Sequence, residues 1–161
     1  MLRQYPDDPA QPGQSVSHVA VFELPGGVER IFELFTPEGE TRWAPGWSYR
    51  NVTGAEALHE DFVFLTRDHD HAAAEAVWIV KRYDPEAHAV EYYKVEPGEK
   101  VGVVAIRCTE RGTGTEVKVG YRYIALSARG RTFTESFTAG VFKAYMDEWQ
   151  RLLRAYLEQR A

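Results

Sequence analysis

The sequence predicts an α+β domain in which a curved antiparallel sheet of about seven strands wraps around one long C-terminal helix. Segments of alternating character, punctuated by Asp84-Pro85, Pro97-Gly98 and Gly112-Thr113-Gly114, occupy Ser48 to Leu126. A proline-free amphipathic stretch closes the chain, and two short helical patterns stand between the first strand and the rest. Each element has its own local reason.

Residues 1–14 (MLRQYPDDPAQPGQ) are rich in Pro, Gln and Asp without periodicity. They read as a mobile tail, which leaves 15–161 as one domain. Ser15 to Glu23 (SVSHVAVFE) is the first strand, stopped by Pro25-Gly26-Gly27. Val28, Ile31, Phe32 and Phe35 recur at helical spacing, and Pro37 ends that helix near Thr36. Thr36-Pro37-Glu38 opens a second short helix, with a Thr N-cap, Pro at the first helical position and acids in the first turn. Pro45-Gly46 closes it.

Strands are predicted over 48–53, 61–67, 74–83, 88–96, 100–110 and 115–126. The last alternates most cleanly, with Val117, Val119, Tyr121 and Tyr123 on one face and Glu116, Lys118 and Arg122 on the other. Ser127 to Phe137 reads as a linker. Thr138 then caps the final helix, whose apolar stripe is Val141, Phe142, Tyr145, Trp149, Leu152, Leu153 and Tyr156. At about 30 Å for some twenty residues, that helix alone is long enough to cover such a sheet. A sheet curved around one helix leaves a cavity between them, the usual place for a small ligand.

Composition narrows the function. The 161 residues, 44% hydrophobic and 27% charged, suit one globular domain. A net charge of −5 with scattered Lys and Arg excludes a dedicated nucleic-acid binder, which needs a clustered basic surface. No apolar run approaches membrane-spanning length and the N-terminus lacks a signal-type apolar region, so no membrane insertion is expected and the cytoplasm is the default location. Cys108 is the one cysteine, which precludes an intrachain disulfide and suits a reducing compartment. A homodimer is compatible with this sequence and is not specified by it.

The aromatic residues are the best ligand-site material. Trp43 and Trp47 stand at the corner after the second helix, and Trp78 lies in the strand run AVWIV. Tyr121 and Tyr123 lie on the buried face of the last strand, and Tyr145 and Trp149 on the helix stripe. Tyr and Trp combine apolar area with one polar tip, which suits a hydrophobic ligand bearing a few polar groups. The competing reading is that these rings are simply core, above all Trp149. Trp43 is expected to border the cavity, with Arg42 near its mouth.

Other constellations point to less. Asp68-His69-Asp70-His71 has metal-ligand residue types but reads as a polar hairpin tip, with no further Cys or His at ligand spacing, so neither metal nor cofactor is expected. Cys108 reads as a buried, inert thiol, and His18 and His88 as structural or surface residues. Gly26-Gly27 and Gly112-Thr113-Gly114 lack the context of phosphate loops and read as turns. No catalytic residue is identified.

The element order, with FTPEGETRWAPGW after the first helix, GTEVKVGYRYIALSARG closing the sheet and SFTAGVFKAYMDEWQRLLRAYL as the last helix, resembles the helix-grip fold of the SRPBCC superfamily. That superfamily includes START lipid-transfer domains, pollen-allergen-like proteins and polyketide cyclases. The likeness spans roughly residues 16–158 and is strongest to small bacterial polyketide cyclase/dehydrase or lipid-transport-like members. It implies binding of a small hydrophobic or aromatic ligand between sheet and helix, with transport as one use such binding can serve. It also leaves open a cyclase or dehydratase using pocket Tyr and His, and a co-chaperone-like interaction module whose cavity is filled by side chains. Because no acid–base pair is visible in the sequence, the non-enzymatic reading stands first.

Overall fold

The computed structural model describes residues 14–67 and 75–160. One antiparallel sheet contains β1 (Ser15–Pro25), β2 (Arg50–Asn51), β3 (Val63–Arg67), β4 (Glu75–Asp84), β5 (Ala89–Glu96), β6 (Lys100–Arg111) and β7 (Gly114–Ala125). Their order across it is β1-β7-β6-β5-β4-β3-β2. Two short helices, α1 (Val28–Glu33) and α2 (Pro37–Glu40), separate β1 from β2, and α3 (Ala128–Ser136) and α4 (Ala139–Glu158) follow β7. β2 to β7 form a meander, and β1 returns beside β7, paired from Ser15–Ile124 to Pro25–Gly114.

Strand alternation decides which face is covered. Val117, Val119, Tyr121 and Tyr123 of β7 are buried, as are Val104, Ile106 and Cys108 of the neighbouring β6. Gly102 of β6 lies opposite Tyr123, and a Cβ there would stand 3.0 Å from that ring. The register of β4 against β5 shifts between Val80 and Arg82, a bulge that adds bend and twist where the sheet curves. α4 lies over this concave face through Phe142, Met146, Trp149, Leu153 and Leu157.

Three sequence expectations change. Ser127 to Phe137 is largely helical: Ser127 caps α3 by accepting from the Gly130 amide. Of the strand expected over 48–53, only Arg50–Asn51 pairs in the sheet. The buried stripe of α4 includes Met146 and Leu157, whereas Val141 is 50% exposed and Tyr145 43%. The stripe follows the sheet beneath the helix rather than the sequence's most apolar side. Asp68–His71 lies outside the described residues.

The α1–α2 corner is tightly closed. Thr36 caps α2 by accepting from the Gly39 amide at 3.0 Å, with Pro37 at the first helical position. A Cβ on Gly39 would stand 1.8 Å from the Glu33 carbonyl oxygen, which belongs to rigid backbone. Gly39→Ala is therefore expected to lower stability by about 2–4 kcal/mol, because the corner must open to admit the methyl. Thermal unfolding of the variant measures this; an unchanged melting temperature would show that α2 yields freely.

Candidate functional site

Between α4, the α2 corner and the sheet is a cavity of about 310 Å³. All four tryptophans of the chain, Trp43, Trp47, Trp78 and Trp149, line it, together with Tyr121, Tyr123 and Tyr145. These are the seven residues the sequence singles out, brought from the corner, β4, β7 and α4 to one wall. The cavity volume is at the low end of the range of about 300–1,000 Å³ usual for small-molecule sites.

The indoles are held by the fold itself. Trp43 donates from Nε1 to the Leu34 carbonyl at 2.7 Å, and Trp47 to the Pro37 carbonyl at 2.8 Å. Trp78 donates to Thr66 Oγ1 at 2.9 Å. Its ring stacks on Phe64, its cross-strand partner, with centroids 5.5 Å apart. Trp43 and Trp149 meet edge to face at 5.4 Å, and Tyr121 packs on Trp149 at 6.1 Å. The choice between core and cavity is thus a false one for these rings. Trp43 and Trp149 are each only 6% exposed and belong to the core cluster, yet each shows part of its surface to the cavity.

The polar part of the wall is what sequence reasoning missed. Glu40, at the end of α2, lines the cavity, and its carboxyl has no hydrogen-bond partner among the described residues. Burial pushes its pKa from 4.5 up to about 8, against the opposing pull of Lys94. Its own sequence context reads as a first-turn acid favoured by the helix dipole, whereas the folded corner places it on the cavity wall. Lys94, whose ammonium stands 5.4 Å from the Trp78 ring centroid, also lines the cavity, and Arg67, Glu96 and Glu148 add further charges to its wall. The Tyr121 hydroxyl is raised well above its ordinary value, chiefly by burial, then by its neighbours Tyr145 and Tyr123.

The remaining candidates lie elsewhere. His18 hydrogen-bonds through Nε2 to the Phe137 carbonyl at 2.7 Å and packs against Phe142, a structural role. His88 sits in a turn at φ 52 and meets Phe32, away from the cavity lining. Arg42 pairs with Glu33 at 3.7 Å instead of reaching the mouth. Cys108 is buried, and burial pushes its thiol up to about 12, which leaves it unreactive. Among the described residues no three His, Cys, Asp or Glu side chains converge as metal ligands, and no helix is long and apolar enough to cross a membrane.

A seven-stranded antiparallel sheet gripping one long C-terminal helix defines the helix-grip fold, that of the SRPBCC and pollen-allergen-like proteins. No protein-family model matches the sequence, and no curated protein matches it. Solved structures do match. CalU16 from Micromonospora echinospora is 16% identical, with a TM-score of 0.62 over 88% of this chain and 73% of that one. A major latex-like protein from Panax ginseng is 17% identical, with a TM-score of 0.64 over 92% and 98% of the two chains. DynU16, a protein of the dynemicin biosynthetic locus, is 17% identical with a TM-score of 0.59, over 91% of this chain and 48% of its own. At these identities the likeness is one of fold.

Glu40 also makes stability depend on pH. The unfolded chain ionises this carboxyl near 4.5 and the folded chain near 8, so its unfavourable contribution grows as pH rises between those values. Glu40→Gln is expected to stabilise the fold by roughly 1–3 kcal/mol near pH 8, and by little near pH 4.5, after allowance for solvent in the cavity. Melting temperatures of both proteins across that range test this; a constant difference would place the Glu40 pKa in the ordinary carboxylate range.

Proposed function

We propose that this protein binds a small hydrophobic or aromatic molecule in the cavity between sheet and α4. The observation that carries the reading is the convergence of all four tryptophans and three tyrosines on one space of about 310 Å³. Three of the four indole N–H groups are engaged by the protein, so those rings offer a bound molecule their faces and edges. Binding then comes from apolar burial, at about 25 cal/mol per Å² before the cost of immobilising the ligand. The space suits one to three fused rings better than a long lipid. A cavity of this size also speaks against an interaction module filled by side chains.

A second reading, an acid–base enzyme of the cyclase or dehydratase type, gains support from one residue the sequence did not single out. A carboxyl with its pKa pushed up to about 8 beside Tyr121 in an aromatic cavity is a group suited to proton transfer near neutral pH. The pocket histidine on which that reading first rested is not among the lining residues.

Because every tryptophan borders the cavity, intrinsic fluorescence reports directly on occupancy. Titration with fused-ring aromatics is expected to quench or shift the emission saturably and to raise the melting temperature. Ala76, whose side chain borders the same space, supplies the control. Ala76→Phe should fill part of the cavity and weaken binding at least about tenfold while the protein remains folded. Native mass spectrometry of freshly purified protein should show a co-purified small molecule. Failure of every aromatic both to perturb the emission and to raise the melting temperature would remove this reading.

A further inference from the structure

We propose that the cavity selects aromatic molecules bearing a carbonyl oxygen, an aryl ketone or quinone, and that the Glu40 carboxyl donates the hydrogen bond that receives this oxygen. The inference rests on the binding reading above and names its ligand class. It follows from an account of which polar groups on the cavity wall are already committed.

The N–H groups of Trp43, Trp47 and Trp78 are spent on Leu34, Pro37 and Thr66. The Tyr121 hydroxyl is engaged with Tyr145. The Glu96 and Glu148 carboxylates of the wall are ion-paired with Lys100 and Arg151, which leaves the Glu40 carboxyl and the Trp149 indole without a side-chain hydrogen-bond partner among the described residues. An indole N–H can only donate, as can the ammonium of Lys94 on the same wall, and a neutral carboxyl carries an O–H seeking an acceptor. The inner cavity is therefore an aromatic box whose free polar atoms are mainly donors. A carbonyl oxygen, with two lone pairs and no hydrogen, is complementary to it, whereas a plain hydrocarbon leaves the Glu40 carboxyl unpartnered.

Charge around Glu40 sets the pH at which this works. Lys94 on β5 favours the ionised carboxylate, while burial outweighs it and holds the neutral form up to about 8. Tyr92 on β5 and Tyr121 on β7 also face Glu40, each itself held neutral far above its ordinary range, mainly by burial. Tyr123 on β7, Glu96 on β5, Arg67 on β3, and Tyr145 and Glu148 on α4 complete the titratable and charged lining. Once Glu40 ionises it becomes an acceptor only and repels a carbonyl oxygen. Ketone binding is thus expected to be strong below about pH 8 and to fall above it.

The test compares β-acetylnaphthalene with β-ethylnaphthalene, two probes of nearly equal shape that differ by the carbonyl, by titration calorimetry from about pH 6 to about pH 9.5. The expected result is about tenfold tighter binding of the ketone at the acidic end, converging on the hydrocarbon as Glu40 ionises. Glu40→Leu should bring the ketone down to the hydrocarbon's affinity. Glu40→Gln, which keeps an N–H donor but cannot titrate, should flatten the ketone's pH profile. If both probes bind the native protein equally at every pH, this inference is overturned and the binding reading stands. If neither binds, this inference falls, and the binding reading falls with it once the wider aromatic series also fails. Should the variants not fold, the native protein still decides: the ketone-to-hydrocarbon ratio and a carbon-detected NMR titration of the Glu40 carboxyl must change together, and a carboxyl titrating in the ordinary range overturns the proposal.

Discussion

The end of α1 is the constraint on which the rest depends. A helix leaves its last carbonyls without partners, and burial makes such orphans costly. Here the Leu34 and Phe35 carbonyls just beyond α1 receive Trp43 Nε1 at 2.7 Å and the Tyr92 hydroxyl at 2.8 Å. The Pro37 carbonyl, at the start of α2, receives Trp47 Nε1 at 2.8 Å. One short stretch of backbone therefore fixes three aromatic side chains from the corner and from β5. The Trp43 and Trp47 rings line the cavity from those anchors, so that satisfying backbone polarity also builds part of its wall. Gly39 makes the arrangement possible, since a side chain there would collide with the Glu33 carbonyl oxygen.

A second anchoring point lies at the opposite end of the sheet. Lys100 is buried between Glu96 at 3.0 Å and Glu99 at 2.9 Å. Its ammonium also stands over the Phe133 ring of α3, 3.9 Å from the centroid. A buried cation is tolerable only with its charge neutralised and its donors engaged. The cluster ties the β5–β6 turn to α3, and its acid Glu96 also reaches the cavity wall. Gly130 allows the approach, because a Cβ there would fall 1.8 Å from the Glu99 carbonyl oxygen. Both junctions thus combine a glycine pressed against backbone with a polar contact that fixes a ring.

Local signals were legible where the cause was local. Thr36, Pro37 and the stop at Pro45-Gly46 announce α2 because capping and proline geometry act within a few residues. The alternation of Val117 to Tyr123 fixes the buried face of β7 because strand period admits no other phase. Nonlocal causes were not legible. Ala128–Ser136, with Gly130, three hydroxyl residues and no clear apolar stripe, reads as linker, and becomes helical only where Lys100 and Glu99 offer it a surface. Glu40 looks like any first-turn acid until the corner packs it into an aromatic wall. The buried line of α4 runs through Met146 and Leu157 instead of Val141, since the sheet beneath the helix, not hydrophobicity alone, sets the phase.

The same reasoning separates what the fold requires from what it does not. Trp43, Trp47, Trp78 and Tyr92 each satisfy a hydrogen-bonding demand of the fold, so their presence needs no ligand to explain it. Glu40 has no such structural reason. Its carboxyl finds no partner among the described residues, and its burial costs stability throughout the pH range in which an exposed glutamate would ionise. A glutamine or leucine would meet the packing needs of α2 without that cost. A side chain that weakens the fold where it stands, and that faces a cavity walled by rings, is what the proposed binding of a carbonyl-bearing aromatic molecule would account for.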